Sequence, residues 1–159
     1  MKFVLIDRVL DFEPSRSLRA VKAVSLSEEY LADHFPRFPV LPGVFIIEAL
    51  VQAAAMLVHL TQEFAHSIAV LESVRNVKYK SFVKPGNLLE LQVKVKSLEP
   101  AGSSFQGTGQ VGDREMVQAR FTLRHYNLAQ RNAGLADVDN RIKQELQTRA
   151  RILGALPAA

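Results

Sequence analysis

Residues 44 to 62, VFIIEALVQAAAMLVHLTQ, leave this chain few ways to fold. A helix drawn through the run is apolar on every side, the pattern of a helix buried all round rather than one with a wet face. Other parts of the chain must wrap it. The run is interrupted by Glu48 and Gln52 and fades near Thr61, short of the roughly 20 apolar residues that cross a bilayer. It reads as a core helix, and no membrane span is expected.

The wrapping is written further on. Leu89, Leu91, Val93 and Val95 alternate with Glu90, Gln92, Lys94 and Lys96, and Val117, Ala119, Phe121 and Leu123 alternate with Gln118, Arg120, Thr122 and Arg124. A period of two marks half-buried strands. Between them SSFQGTGQV reads as another strand, entered through Glu99-Pro100-Ala101-Gly102 and left through the turn pair Gly112-Asp113. Residues 68 to 83 supply one more long or broken strand. Residues 3 to 12 and 18 to 25 flank the turn-prone Glu13-Pro14-Ser15-Arg16 and predict an opening hairpin. Ser25 to Glu28 offer capping chemistry for a short helix through Glu29, Tyr30 and Leu31. Pro36, Pro39 and Pro42 then forbid regular structure up to Gly43. No strand-helix alternation argues for a parallel sheet. The expected class is therefore α+β, one antiparallel curved sheet wrapped around one long central helix.

After His125 the chain turns linker-like. Val138, Ile142, Leu146 and Leu153 then mark one stripe of an amphipathic helix, with Asp137 or Asp139 as cap and Gly154 as stop. The division expected is a domain over 1–126, then a linker and helix over 127–159 that docks on its own domain or on a second subunit. A length of 159 residues suits one domain plus a tail. The chain has no cysteine, which rules out disulfides and thiolate metal sites and fits a cytoplasmic location. A formal charge of +4 favours acidic partners without arguing for nucleic acid. Met1-Lys2 runs straight into FVLID with no apolar core and cleavage site, so no secretory signal is expected.

Two motifs carry little chemistry. Gly107 to Gly112 spell GTGQVG, a formal G-x-G-x-x-G, but the sequel REMVQARFTLR is strand-like where a dinucleotide site needs a helix. These glycines are expected to relieve crowding or bend the sheet. His59 and Glu63, with His66 nearby, have metal-pair spacing, yet polar groups at a helix end have a plainer explanation in solvation and the dipole. No metal site and no cofactor are expected.

His34 and Glu48 are different. Ile46, Ile47, Ala49, Leu50 and Val51 surround Glu48, so its carboxylate is expected to face a cavity or an interface. His34 opens a stiff proline-rich loop ending in Pro42-Gly43, whose following N–H groups sit free at the positive end of the helix dipole. A base, an acid and an electrophilic backbone thus gather at one loop-helix junction.

The stretch HFPRFPVLPGVFIIEALVQAAAML, with LIDRV before it and KYKSFVKPGNLLEL after it, resembles the FabZ-type 3-hydroxyacyl-acyl-carrier-protein dehydratases of the hot-dog superfamily. The resemblance runs from about residue 3 to residue 124. It implies the hot-dog fold and conversion of a (3R)-3-hydroxyacyl-acyl-carrier-protein to the trans-2-enoyl form in type II fatty acid or related lipid synthesis. It also implies catalytic roles for His34 and Glu48, a Gly43 N–H on the thioester carbonyl, and Gln52 one turn beyond the acid. Phe38, Val44, Phe45, Gln52 and Tyr79 are the expected substrate contacts. Arg37, Arg75, Lys78, Lys80 and Lys84 are the expected basic rim for an acidic acyl carrier protein bearing a phosphopantetheine-linked acyl chain; an ordinary solvated strand face explains them equally well.

In the enzymes it resembles, the histidine and the acid of one site come from different subunits, so a homodimer is expected, with a trimer of dimers as the larger option. Arg37 stands where the family usually has glycine, and Phe82 where it often has proline. Imidazole changes protonation near neutral pH, which suits proton removal beside a carbonyl. A carboxyl in an apolar setting holds its proton more readily, which suits donation to a departing hydroxyl. Three other readings stay open: a dehydratase dedicated to a polyketide, polyene or unusual lipid, a hot-dog thioesterase, and a non-catalytic subunit that binds acyl carrier protein.

Overall fold

Burial of the apolar run dictates the arrangement in the computed structural model, which describes residues 3–157. The long helix α2 (Gly43–Thr61) follows β1 (Arg8–Glu13), β2 (Ser17–Ala23) and the short α1 (Tyr30–Asp33). After it come β3 (Ile68–Tyr79), β4 (Leu88–Leu98), β5 (Gly102–Val111), β6 (Arg114–Tyr126), two 3₁₀ turns (Leu128–Gln130 and Ala133–Leu135) and α3 (Ala136–Ile152). The six strands make one sheet in the order β1-β2-β4-β5-β6-β3, every pair antiparallel. The expected α+β arrangement holds: the inner sheet residues Leu89, Leu91, Val93, Val117, Phe121 and Leu123 pack with Leu50, Ala53, Ala54 and Leu57 of α2 in one core. By length and composition alone α2 is apolar enough to cross a membrane, but most of it is buried inside this chain's own sheet. The Met1-Lys2 part of the signal reading lies outside the described residues.

Close approach explains the glycines of β5. A Cβ on Gly107 would lie 3.1 Å from Leu50 of α2, and one on Gly109 would lie 2.9 Å from Val117 of the neighbouring strand. Side chains there would push the sheet off the helix.

Three boundaries differ from the sequence expectations. Residues 3 to 7 are not strand: Leu5 donates its N–H to Oε1 of Gln52 at 2.9 Å, so a side-chain amide on α2 replaces a ladder partner. β3 stops at Tyr79, although the next residue, Lys80, still donates its N–H to the Met116 carbonyl. Neither Asp137 nor Asp139 caps α3, whose cap residue Leu135 makes no side-chain bond. Asp139 is buried instead, and its carboxylate accepts from the N–H groups of Leu128 and Ala129, both at 2.9 Å, and from the Ser67 hydroxyl. That carboxylate ties the tail to the loop after α2. At the far end Gly154, at φ 76°, stops α3 as expected, with the Ala155 N–H returning to the Ala150 carbonyl. Val9 donates to the Leu153 carbonyl, and Ala150 and Leu153 are buried in the core, so α3 docks on its own chain.

Candidate active site at the amino end of the long helix

Pro42 sets where the site begins. It precedes α2, and its carbonyl accepts the N–H groups of Phe45 and Ile46. The N–H groups of Gly43 and Val44 are the ones that the first turn of a helix leaves over. The loop from His34 to Leu41 is held against the β3–β4 connection by the Leu41 N–H to the Val83 carbonyl at 2.8 Å. Between these two loops and the start of α2 lies a cleft of about 450 Å³, lined by His34, Gly43, Ile46, Tyr79, Phe82, Val83 and their neighbours.

His34 is half-buried at the end of α1, where its N–H returns to the Tyr30 carbonyl and its ring lies 4.4 Å from that of Phe35. Phe35 takes a left-handed φ of 53°, and the turn closes with Phe38 donating to the Phe35 carbonyl. Arg37 keeps a negative φ, so the strain expected for a residue replacing glycine does not arise there. Gly43 is needed for space: a Cβ would sit 2.9 Å from the Tyr79 ring. Burial pushes the Tyr79 phenol pKa up, so at neutral pH the hydroxyl remains a donor beside the helix terminus.

Within one chain, then, the structure brings His34, Gly43 and Tyr79 to one cleft. Glu48, Gln52, Val44 and Phe45 are not among its lining residues. Phe45 packs instead with Phe3 at 4.9 Å and Tyr30 at 4.8 Å. Val44 projects outward, 68% exposed. Glu48 is half-buried and accepts from Nε2 of Gln52 at 2.9 Å. The orientation of that amide is fixed, because its Oε1 accepts from Leu5 and its Nε2 also donates to the Phe3 carbonyl. Gln52 therefore holds the Glu48 carboxylate in one pose, a role the helical spacing alone does not reveal.

The basic residues separate as well. Lys80 lines the cleft and pairs with Glu115 at 2.6 Å, and Lys84 lies over the Phe38 ring at 4.9 Å. Phe38 meets Phe82 edge-on at 5.7 Å, which places it beside the cleft rather than in its lining. Arg37 is exposed on the His34 loop, while Arg75 and Lys78 lie along β3. His59, Glu63 and His66 gather no metal-binding group of three among the described residues.

Known proteins resemble this chain over most of its length. The FabA-like domain profile matches residues 1–120. A "3-hydroxyacyl-[acyl-carrier-protein] dehydratase FabZ" of Pediococcus pentosaceus is 37% identical over 120 residues, which cover 76% of this chain and 80% of that protein. The protein of the same name from Anaeromyxobacter sp. (strain K) is 38% identical over 122 residues, 75% of this chain and 78% of its own length. Among solved structures, the dehydratase heterocomplex ApeI:P from Xenorhabdus doucetiae superposes with a TM-score of 0.68 at 21% identity, covering 79% of this chain and 85% of that one. That likeness is one of fold.

Proposed function

The chain belongs to the FabA-like family and has the hot-dog fold, and on that premise we propose how its residues carry out dehydration of a 3-hydroxyacyl-acyl-carrier-protein. The enzyme is a hydro-lyase of the same kind as its 3-hydroxyacyl-acyl-carrier-protein dehydratase relatives. His34 removes the proton on C2. The electron pair of that C–H bond becomes the C2=C3 double bond as the C3–O bond breaks. Glu48 gives its proton to the departing hydroxyl, which leaves as water. The Gly43 N–H, at the positive end of α2, holds the charge that grows on the thioester oxygen. The observation that carries the assignment is that His34 and Gly43, the first residue of α2, line one apolar cleft.

Glu48 reaches that cleft from a second copy of the chain. β3 is twelve residues long and pairs with β6 on one side only, which leaves a full row of backbone groups at the sheet edge. Such an edge is a template for another strand. A homodimer joined there would set α2 of one copy beside the His34 loop of the other. The acyl carrier protein is the partner that presents the substrate, and Arg37, Lys80 and Lys84 at the cleft mouth are the cations we assign to it.

Purified protein should hydrate a crotonyl thioester reversibly, with loss of enoyl absorbance and no free thiol. Thiol release would make it a thioesterase, and no change in either signal would make it a binding subunit. Mixing and reannealing His34→Ala with Glu48→Ala tests the shared site. Each variant alone is inactive, and the mixture should recover about a quarter of wild-type activity, because half the dimers then hold one intact site. No recovery would place both groups in one chain.

A further inference from the structure

The outer face of the sheet, turned away from α2, carries a row of cations set by strand register. Lys94 of β4 stands opposite Gln106, Gln106 opposite Arg120 of β6, and Arg120 opposite Arg75 of β3. Two arginines directly across a ladder repel each other, an arrangement that costs stability unless something lies between them. Lys96 joins them at the rim of one hollow of about 520 Å³, together with Ser73, Ser104 and Thr122. Among the described residues none of Arg75, Lys96 and Arg120 makes an ion pair. No carboxylate lines the hollow, and Glu72 and Glu99 line a neighbouring depression. This hollow shares no residue with the catalytic cleft.

We propose that this hollow is a binding site for a small phosphate-bearing anion. Two guanidinium forks present more N–H donors than one carboxylate has lone pairs to meet, and a tetrahedral phosphate matches both forks at once. Ser73 and Thr122 are hydrogen-bonded to each other at 2.8 Å, which uses the proton of one hydroxyl and leaves the other free to donate. The volume lies in the range of small-molecule sites. An anion bound there would bridge the Arg75–Arg120 pair and turn a repulsion into two charge-assisted bonds. The site is independent of the dehydration reaction, so its failure would leave that reading untouched.

The test uses the full chain with sodium pyrophosphate as probe and sodium chloride at matched ionic strength as control. Calorimetric titration should show saturable pyrophosphate binding, and the anion should raise the Tm where chloride does not. Arg120→Gln should weaken binding at least about tenfold, melt no lower than wild type without the anion, and hydrate crotonyl thioester at the wild-type rate. If Arg120→Gln proves poorly folded, Lys96→Gln on the opposite rim carries the same comparison. Chloride reproducing the Tm rise, or a well-folded variant binding pyrophosphate as tightly as wild type, would overturn the proposal.

Discussion

A histidine lies near each end of α2, and the two settings are opposite. At the amino end His34 is half-buried on a loop and opens onto the cleft. At the carboxyl end His59 is 4% exposed and stacks on Phe64 with ring planes 3° apart, and its Nδ1 has no partner. His125 is 2% exposed beside it, with the Ser103 hydroxyl 2.7 Å from its Nε2, and the His66 ring is 6.0 Å away. Burial lowers the pKa of all three of these, that of His59 to about 4; repulsion from neighbouring imidazoles contributes at His59 and His125, and repulsion from Lys143 contributes at His66. His34 lines the cleft, whereas His59 and His125 are packed in the interior and His66 is half-buried with its Nδ1 3.1 Å from Oε1 of Gln62. Exposure to a cleft, more than residue type, separates His34 from His59 and His125.

The largest contrast comes from replacing one histidine at each end. His34→Ala should lower kcat/KM for crotonyl-thioester hydration by about 10³-fold with the melting temperature unchanged, while His59→Leu should keep the rate. Equal losses in both would erase the distinction drawn between the ends. Gly43→Ala sharpens it at the amino end: the added methyl meets the Tyr79 ring at 2.9 Å, and a displaced ring should cost on the order of tenfold in kcat. Trimming Tyr79 to Leu in the same chain should return part of that loss if crowding is the cause.

The carboxyl end is tested by acid. The unfolded His59 imidazole takes up a proton near pH 6.5, whereas the folded one resists until about pH 4. Its contribution is therefore complete above pH 6.5 and is lost as pH falls from there toward 4. Between pH 7 and pH 5 urea denaturation should show a loss of about 2 kcal/mol, reduced in His59→Leu. An unchanged pH dependence in that variant would shift the effect to His66 and His125. The smallest expected effect lies outside the matched domain. Asp139→Asn should lower the Tm by about 5 °C with kcat/KM intact, because the amide oxygen can still accept from Leu128 and Ser67 but the nitrogen in the place of Oδ2 cannot accept from Ala129.

The legible part of the site was the local part. His34, Pro42, Gly43 and the start of α2 are close in sequence, so their meeting follows from loop stiffness and helix geometry. Tyr79 is an expected substrate contact, but nothing in the strand pattern says that its ring lies against Gly43. Phe45, expected among the same contacts, packs on Phe3 and Tyr30 because the N-terminal segment lies back on the helix. Gln52 was expected from resemblance, yet its hold on Leu5, Phe3 and Glu48 rests on contacts 47 and 49 residues apart in sequence and one turn along α2. Asp139 looked like a helix cap because Asp usually caps. It became a buried tether once the chain beyond β6 returned to Ser67.

The sequence by itself settled the class of fold, since a helix apolar on all sides can be stable in water only if other elements cover it, and it placed His34, Pro42 and Gly43 together on the loop before that helix. Tertiary structure decided which groups face one another: the Gln52 amide on Glu48, the Tyr79 ring against Gly43, the opposed arginines on the outer face and His66 near His125. Periodicity reports which way a side chain points from its own element. It carries no information about what another element, dozens of residues away, sets in front of it.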